Sequence, residues 1–385
     1  MLNEVTSFPP AELPPETEAL RREVRDFVAA ELAAGAFRPR VDSWLTTSRD
    51  FSNKLGKRGW IGMTWPKEYG GHGRTSLERY VVTEELLAAG APLSLHWTAD
   101  RQSGPLLLRY GSEQAKREII PRTVAGEVFF AIGMSEPDSG SDLASVRTRA
   151  VQVDGGWKVT GAKLWTSNAH ECDYMITLLR TGPRNEEKRH EGLSQFVIDT
   201  KAKGVTIRPI ADLAGRKHFN EVVFDEAFVP DHMVVGQPGD GWKQVTSELA
   251  FERSGPERFL STYRLVVELI RAVGPNPDPH TAQAIGRIVA AIATLRRMSV
   301  SIAGLLQQGQ SPNLQAAVVK DIGNTLEQEI PELVRHYHPV EPTLDPEDPY
   351  SEMLAQAILH SPGFTLRGGT KEILRGIIAR GLGLR

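Results

Sequence analysis

TRAVQVDGGWKVTGAKLWTS, residues 148–167, reads as two strands joined at Asp154-Gly155-Gly156. An aspartate followed by glycines between alternating apolar residues is a hairpin signal. More strand patterns lie on both sides. FFAIGM (129–134) is a short apolar run ended by the polar loop SEPDSGSD (135–142). CDYMITLLRT (172–181) and LSQFVIDT (193–200) are strand candidates, separated by the charged loop GPRNEEKRHEG (182–192). HFNEVVFDEAFVP (218–230) closes this β region near residue 230.

Outside it the period changes from two to 3.6. TEALRREVRDFVAAELAAG (17–35) alternates apolar and charged faces at helical spacing. WPKEYGGHGRTS (65–76) is a loop, and LERYVVTEELLAAG (77–90) and EQAKREIIPRTVAGE (113–127) resume the helical pattern. Long helical patterns return from Gly241, interrupted by the Pro-rich connectors at 273–281 and 339–349. A final helix runs from about Gly369 to Arg380. The expected fold is α+β in three parts: a helical domain at 1–128, a β domain at 129–240 and a helical domain at 241–385.

Composition limits the function classes. The 385 residues are 40% hydrophobic and 24% charged, with a net charge of −3, so no nucleic-acid surface is signalled. Cys172 is the single cysteine, which excludes an intrachain disulfide and reads as a packed thiol of a reducing cytoplasm. The N-terminus lacks the basic-then-apolar pattern of a signal peptide, and no apolar stretch reads as a membrane span. There is no Rossmann glycine fingerprint, no P-loop and no H-E-x-x-H. His336 and His338 read as surface residues, and no metal site is expected.

Four segments could carry chemistry. MSEPDSGSD (134–142) places the small residues Ser139, Gly140 and Ser141 after a strand, where a ligand could approach backbone N–H groups. KLWTSNA (163–169) sets Trp165, a flat apolar plate, two residues before the Ser167 hydroxyl; on a strand the two share a face. LRGGTKEILRGIIAR (366–380) puts Gly368-Gly369-Thr370 before a helix, with Thr370 as a cap. Taken alone, these three segments are better explained as a surface turn, a structural Trp and a plain N-cap, respectively.

The fourth segment is ELAFERSGPERF (248–259). Projected from Val245 at about 100° per residue, Leu249, Pro256, Phe259, Leu260, Tyr263, Val267 and Ile270 share one side. Glu252 falls within that apolar stripe, Glu248 at its edge, and Glu257 points away. An acid so placed either pairs with a base or does chemistry. Ser254-Gly255-Pro256 should kink the helix.

Together these segments resemble the acyl-CoA dehydrogenase family, from about residue 16 to the C-terminus. The landmarks are PKEYGGHG, YGSEQAKREIIPRTVAGE, MSEPDSGSD, GAKLWTSN, FDEAFVPDHMVVGQPGDGWK and GGTKEILRGIIAR, in that order. The resemblance implies an N-terminal helical domain, a middle β-barrel domain and a C-terminal four-helix bundle, with FAD bound between them. It implies flavin contacts from Met134, Ser135, Gly140, Ser141, Trp165, Ser167, Thr370 and Glu372. Ser135 would touch the isoalloxazine, Trp165 would cover it and Ser167 would reach near N5. Ser141 and Arg253 would also serve the acyl-CoA substrate.

The resemblance further implies α,β-dehydrogenation of an acyl-CoA thioester, with electrons passing to an electron-transfer flavoprotein. Its catalytic Glu stands at one of two positions. Immediately before the Gly-Thr this chain has Gly368; before an Arg on the first helix after the barrel it has Glu252-Arg253. Glu252 is therefore the implied base, removing the α-proton as the β-hydrogen leaves as hydride. The backbone N–H of Gly368 remains as an implied donor to the thioester oxygen. Two family motifs that reach the FAD of a neighbouring subunit, R-x-x-F-G and Q-x-x-G-G-x-G, are absent from AVGPNPDPHTAQAIG (272–286) and from YSEMLAQAILHSPGFTLRGG (350–369). The chain thereby resembles the heteromeric members of actinobacterial steroid side-chain breakdown. A homo-oligomer, a heteromer with a homologous subunit, a non-catalytic or FAD-sharing subunit, and an oxidase or monooxygenase on the same fold all remain open on the sequence.

Overall fold

Gly155 adopts φ +73°, a conformation that glycine tolerates and most residues do not, and so lets two residues join β2 (Arg149–Val153) to β3 (Gly156–Lys163). The structure is a computed structural model that describes residues 7–41, 43–246, 255–345 and 347–384. The other quoted apolar runs are strands as well: β1 (Phe130–Gly133), β4 (Tyr174–Arg180), β5 (Leu193–Asp199) and β7 (Phe219–Pro230). Two strands escape the sequence reading, β6 (Val205–Ile210) and β8 (Val234–Val235). β6 carries Pro209, lies at the end of the sheet and is short, and its alternating Val205 and Ile207 are only partly buried against the core.

The eight strands form one sheet in the order β6-β7-β3-β2-β4-β5-β8, with β1 parallel to β4. Trp157 of β3 and Phe196 of β5 meet edge to face at 5.4 Å between ring centroids. Three strand-to-strand steps separate them in this order, about 14 Å along a flat sheet. The sheet must therefore curl until its inner faces touch. The enclosed core includes Phe130, Val159, Ile176, Val222 and Phe224.

The described residues form two compact units. One holds the sheet and draws on 47–73 and 94–249; the other draws on 1–46, 74–93 and 250–385. The N-terminal helical stretch is shared between them. With the sheet go α2 (Arg49–Lys57), α4 (Ser94–Thr98), α5 (Gly104–Tyr110) and α6 (Glu113–Val124). Ser48 and Ser112 cap α2 and α6 by accepting from Phe51 N and Ala115 N.

The helical unit contains α1 (Thr17–Ala33), α3 (Ser76–Ala88), α7 (Tyr263–Val273), α8 (Pro279–Gln307), α9 (Asn313–Tyr337), α10 (Pro349–Phe364) and α11 (Lys371–Gly381). Thr75 and Glu78 make a reciprocal capping box on α3. Asp278 and Asp348 cap α8 and α10, each with Pro in the first turn, so the Pro-rich connectors end as helix starts.

Two expectations from the sequence are corrected by the fold. Helix α8 is long and apolar enough to cross a membrane, with mean hydropathy 1.5 over 18 residues, although no apolar stretch of the sequence reads as a span. Of that window 44% is buried within the protein, where α8 packs on α9 and α3. The kink expected around Gly255-Pro256 is present, and it changes where Glu257 points. Gly255-Pro256 starts a short 3-10 turn, Pro256–Arg258, and α7 begins afresh at Tyr263. The turn moves Glu257 inward, and it is 2% exposed rather than pointing away.

Candidate active site

The loop after β1 is held by its own backbone and by one buried ion pair. Glu136 and Ser139 exchange both main-chain hydrogen bonds, and Ser139 Oγ donates to Asp142 O at 2.8 Å. The Glu136 carboxylate accepts from Arg147 N at 2.7 Å and Thr148 N at 3.0 Å. Lys163, the last residue of β3, donates to Glu136 Oε1 at 2.7 Å and to Met134 O at 3.2 Å. One residue later, Leu164 N donates to Ser135 O at 2.9 Å. Two segments far apart in sequence, 134–142 and 163–168, are thus joined at three consecutive points.

Trp165 comes next, at φ +60°. For a bulky residue that conformation costs on the order of 1–3 kcal/mol. Yet its side chain is not buried in compensation: it is 54% exposed, touching Phe219 edge-on at 5.7 Å. Thr166 N donates to Asn220 O at 3.0 Å and Asn168 N to His218 O at 2.6 Å, which pins the turn from the other side. β3 ends at Lys163, so Trp165 and Ser167 share this turn and not a strand face. The positive φ at Trp165 is what breaks the alternation. A strained turn that presents an indole outward, with its backbone hydrogen-bonded on both flanks, is built to present that ring.

The neighbouring polar groups suit a flat polar-edged ligand. Ser135 and Ser167 are half-buried, and among the described residues their hydroxyls have no hydrogen-bond partner. A Cβ on Gly140 would meet no atom within 4 Å, so the protein's own packing does not require glycine there. Ser141 is exposed beside it.

In the helical unit, Gly368 and Gly369 have φ +65° and +100°, two successive positions that favour glycine. Thr370 accepts from Ile373 N and caps α11. Glu372 is exposed in the first turn. Its carboxyl lies below the ordinary range because its own N–H and the Thr370 hydroxyl donate to it. Arg367, just before the glycines, ion-pairs with Glu327 at 2.6 Å, and Lys320 donates to Gly369 O at 2.6 Å. Glu252 and Arg253, with Glu248, lie outside the described residues.

A cleft of about 760 Å³ opens elsewhere in the helical unit, lined by Leu13, Arg21, Arg25, Phe259, Arg264 and Arg296 among others. It contains none of the site residues expected from sequence. Its charges are already matched: Arg21 and Arg296 pair with Glu84 at 3.0 and 2.6 Å, and Arg25 pairs with Glu85 at 2.7 Å. Cys172 is buried, and burial raises its thiol far above the usual range, with Asp173 and Glu171 adding to the shift, so it stays a packed thiol.

Residues 14–127 match the family model of the acyl-CoA dehydrogenase N-terminal domain, and 131–227 that of the middle domain. Acyl-CoA dehydrogenase FadE29 of Mycobacterium tuberculosis is 33% identical over 384 residues, covering 96% of either chain. This chain belongs to the acyl-CoA dehydrogenase family. Among solved structures, the Tcur3481-Tcur3483 steroid ACAD superposes with a TM-score of 0.86 at 28% identity, covering 97% of this chain and 99% of that one. The ChsE4-ChsE5 complex from Mycobacterium tuberculosis does so at 0.82 and 29%, with the same coverage. The chain spans 45% and 60% of the length of two other curated relatives that it matches.

FAD is the cofactor of acyl-CoA dehydrogenases, and the residues present fit it. An outward indole and two unengaged hydroxyls suit a heteroaromatic ring, and the open space at Gly140 suits close approach. Sequence reading missed Lys163, Glu136, Lys320 and Glu327. Lys163 and Glu136 are 27 positions apart, and nothing local to either marks them as partners.

Proposed function

We propose that this chain is the catalytic subunit of an acyl-CoA dehydrogenase that converts an acyl-CoA thioester to the trans-2-enoyl-CoA. FAD, when bound, supplies the two-electron acceptor. In this reading Trp165 covers the ring, with Met134, Ser135 and Ser167 at its polar edge. Gly140 and Ser141 border the phosphates, and Ser141 and Arg253 serve the acyl-CoA. Thr370 and Glu372 hold the cofactor from the start of α11. Glu252 takes the α-proton, and its pKa must rise toward neutrality by desolvation to do so. The Gly368 N–H donates to the thioester oxygen as negative charge develops there.

The observation that carries this reading is the Trp165 turn: strained, exposed, and hydrogen-bonded to the Ser135 loop. The test is anaerobic flavin bleaching by a panel of straight, branched and steroid acyl-CoA thioesters. Glu252→Gln should lower the rate by about two to four orders of magnitude, the range of general-base catalysis, with FAD retained. Near-normal reduction in that variant removes Glu252 as the base. Reoxidation by electron-transfer flavoprotein but not by air separates a cytoplasmic dehydrogenase from an oxidase.

A second reading, an FAD-sharing subunit of a heteromer, is favoured by one observation. The segment where the cross-subunit Arg motif would stand is the Asp278-capped, Pro279-led start of α8 and carries no such Arg. The likeness to ChsE4-ChsE5, itself a complex, supports the same idea.

A further inference from the structure

Helix α9 carries two charged residues that are 0% exposed, Lys320 and Glu327, seven positions and so about two turns apart on one face. Both serve the turn before α11. Glu327 Oε2 accepts from Arg367 Nη2 at 2.6 Å. Arg367 also donates to Phe364 O at 3.2 Å and lies over the Trp44 ring at 4.3 Å. Lys320 Nζ donates to Gly369 O at 2.6 Å. The residues on either side of Gly368 are thus each held by a charged group from α9.

The second Glu327 oxygen goes elsewhere. Oε1 accepts from Ser261 N at 2.8 Å, and Arg367 Nη1 donates to Ser261 Oγ at 3.2 Å. Ser261 lies nine positions after Glu252 in the chain. One carboxylate therefore bridges the segment leading away from Glu252 and the segment carrying Gly368. Buried ion pairs contribute little net stability against apolar replacements, and their best-attested use is to fix geometry. Two successive glycines with positive φ are otherwise among the least constrained backbone units.

We propose that Glu327, with Arg367 and Lys320, is a positioning group that holds the Gly368 amide and the chain following Glu252 in one frame. The inference rests on the proposed role of Gly368 as oxyanion donor. Displacing such a donor by about 1 Å costs on the order of a hundredfold in rate. The α9 charges hold the residues on either side of Gly368 against that displacement.

The test uses Glu327→Gln and Lys320→Met, with exposed Glu332→Gln as a control, in the full chain with any partner subunit that it requires. Amide hydrogen exchange across 366–370 is measured without flavin. kcat and KM for acyl-CoA, and ionisation of an acyl-CoA analogue with an acidified α-C–H, are measured with flavin. Expected are faster exchange at 367–369, kcat lower by about a hundredfold with KM nearly unchanged, and weaker ionisation of the analogue. The control should match the wild type. Unchanged exchange, or faster exchange with unchanged kcat, overturns the proposal while the dehydrogenase reading stands. If the wild type itself neither ionises the analogue nor turns over acyl-CoA, the function fails and the positioning role falls with it. Should Glu327→Gln not fold, Lys320→Met decides alone, because it leaves the Glu327–Arg367 pair in place.

Discussion

Lys163 Nζ lies 2.7 Å from Glu136 Oε1, with the two side chains 0% and 7% exposed. This pair joins the end of β3 to the Met134–Asp142 loop, and so sets Trp165 and Ser167 in register with Ser135. Burial pushes the Lys163 ammonium down from 10.5 to about 8, against the pull of Glu136. Burial raises the Glu136 carboxyl, but Lys163 and the Arg147 N–H outweigh it and leave it below the ordinary value.

The pair should make flavin retention depend on pH. As pH rises through about 8, native Lys163 loses its proton while the unfolded chain keeps it to 10.5, so this group's linkage raises stability in that window even as the ion pair disappears. Glu136 acts in the acid range: its contribution is lost as pH falls through its depressed pKa. Flavin fluorescence released on standing should therefore increase above about pH 8, without unfolding by circular dichroism. Lys163→Met should hold flavin weakly at every pH and show no inflection. A flat wild-type profile rejects the register role.

Trp165 separates stability from function. Trp165→Gly removes the strain of φ +60°, so the urea midpoint should stay or rise, since the strain relieved, about 1–3 kcal/mol, matches or exceeds the added chain entropy of about 0.5–1 kcal/mol. Flavin retention should fall and the flavin spectrum shift. A large loss of stability with normal flavin binding would mean that the indole serves packing alone.

Gly368→Ala places a Cβ at φ +65°. The expected cost is about 1–2 kcal/mol in urea unfolding. An Ala variant as stable as the wild type would show that the turn relaxes to another conformation.

Glu84 neutralises Arg21 and Arg296 between α1, α3 and α8. Arg21 keeps Glu85 and Glu18, so Glu84→Ala chiefly strips the partly exposed Arg296 of its carboxylate and should cost about 1–3 kcal/mol, read as a lower urea midpoint. Glu84→Gln should cost less. Equal losses would assign the effect to packing and not to charge.

Flavin loading tests assembly. The chain alone should bind less than one FAD per subunit. Coexpression with a homologous subunit that carries R-x-x-F-G and Q-x-x-G-G-x-G should raise loading, because each charge-assisted hydrogen bond restored to the pyrophosphate is worth roughly 1.5–3 kcal/mol. Full loading of the isolated chain excludes a split site.

Local chemistry makes much of this protein legible in its sequence. The Asp154-Gly155 hairpin and the Thr370 cap depend on neighbours in the chain, and they stand where the residues place them. The ordered motifs MSEPDSGSD, GAKLWTSN and GGTKEILRG carry the family in the same way. The edge strand β6 is illegible because only Val205 and Ile207 alternate before Pro209 interrupts so short a run. The break after Gly255 is expected from the sequence, but the inward turn of Glu257 is not, since a helical projection cannot follow a chain past the end of its helix.

The order of helical, β and helical segments and the hairpin were thus determined by the sequence by itself, because propensity and periodicity act over a few residues; the flavin and base residues are candidates that the family resemblance implies. Only the tertiary structure decided that Lys163 pairs with Glu136, that Glu327 joins Ser261 to Arg367, and that Trp165 stands outward in a left-handed conformation. Each of these is a contact, or the result of contacts, between segments distant in the chain. Burial makes such pairings obligatory, since an unpaired charge in the interior is costly, but no local pattern says which distant partner will satisfy it.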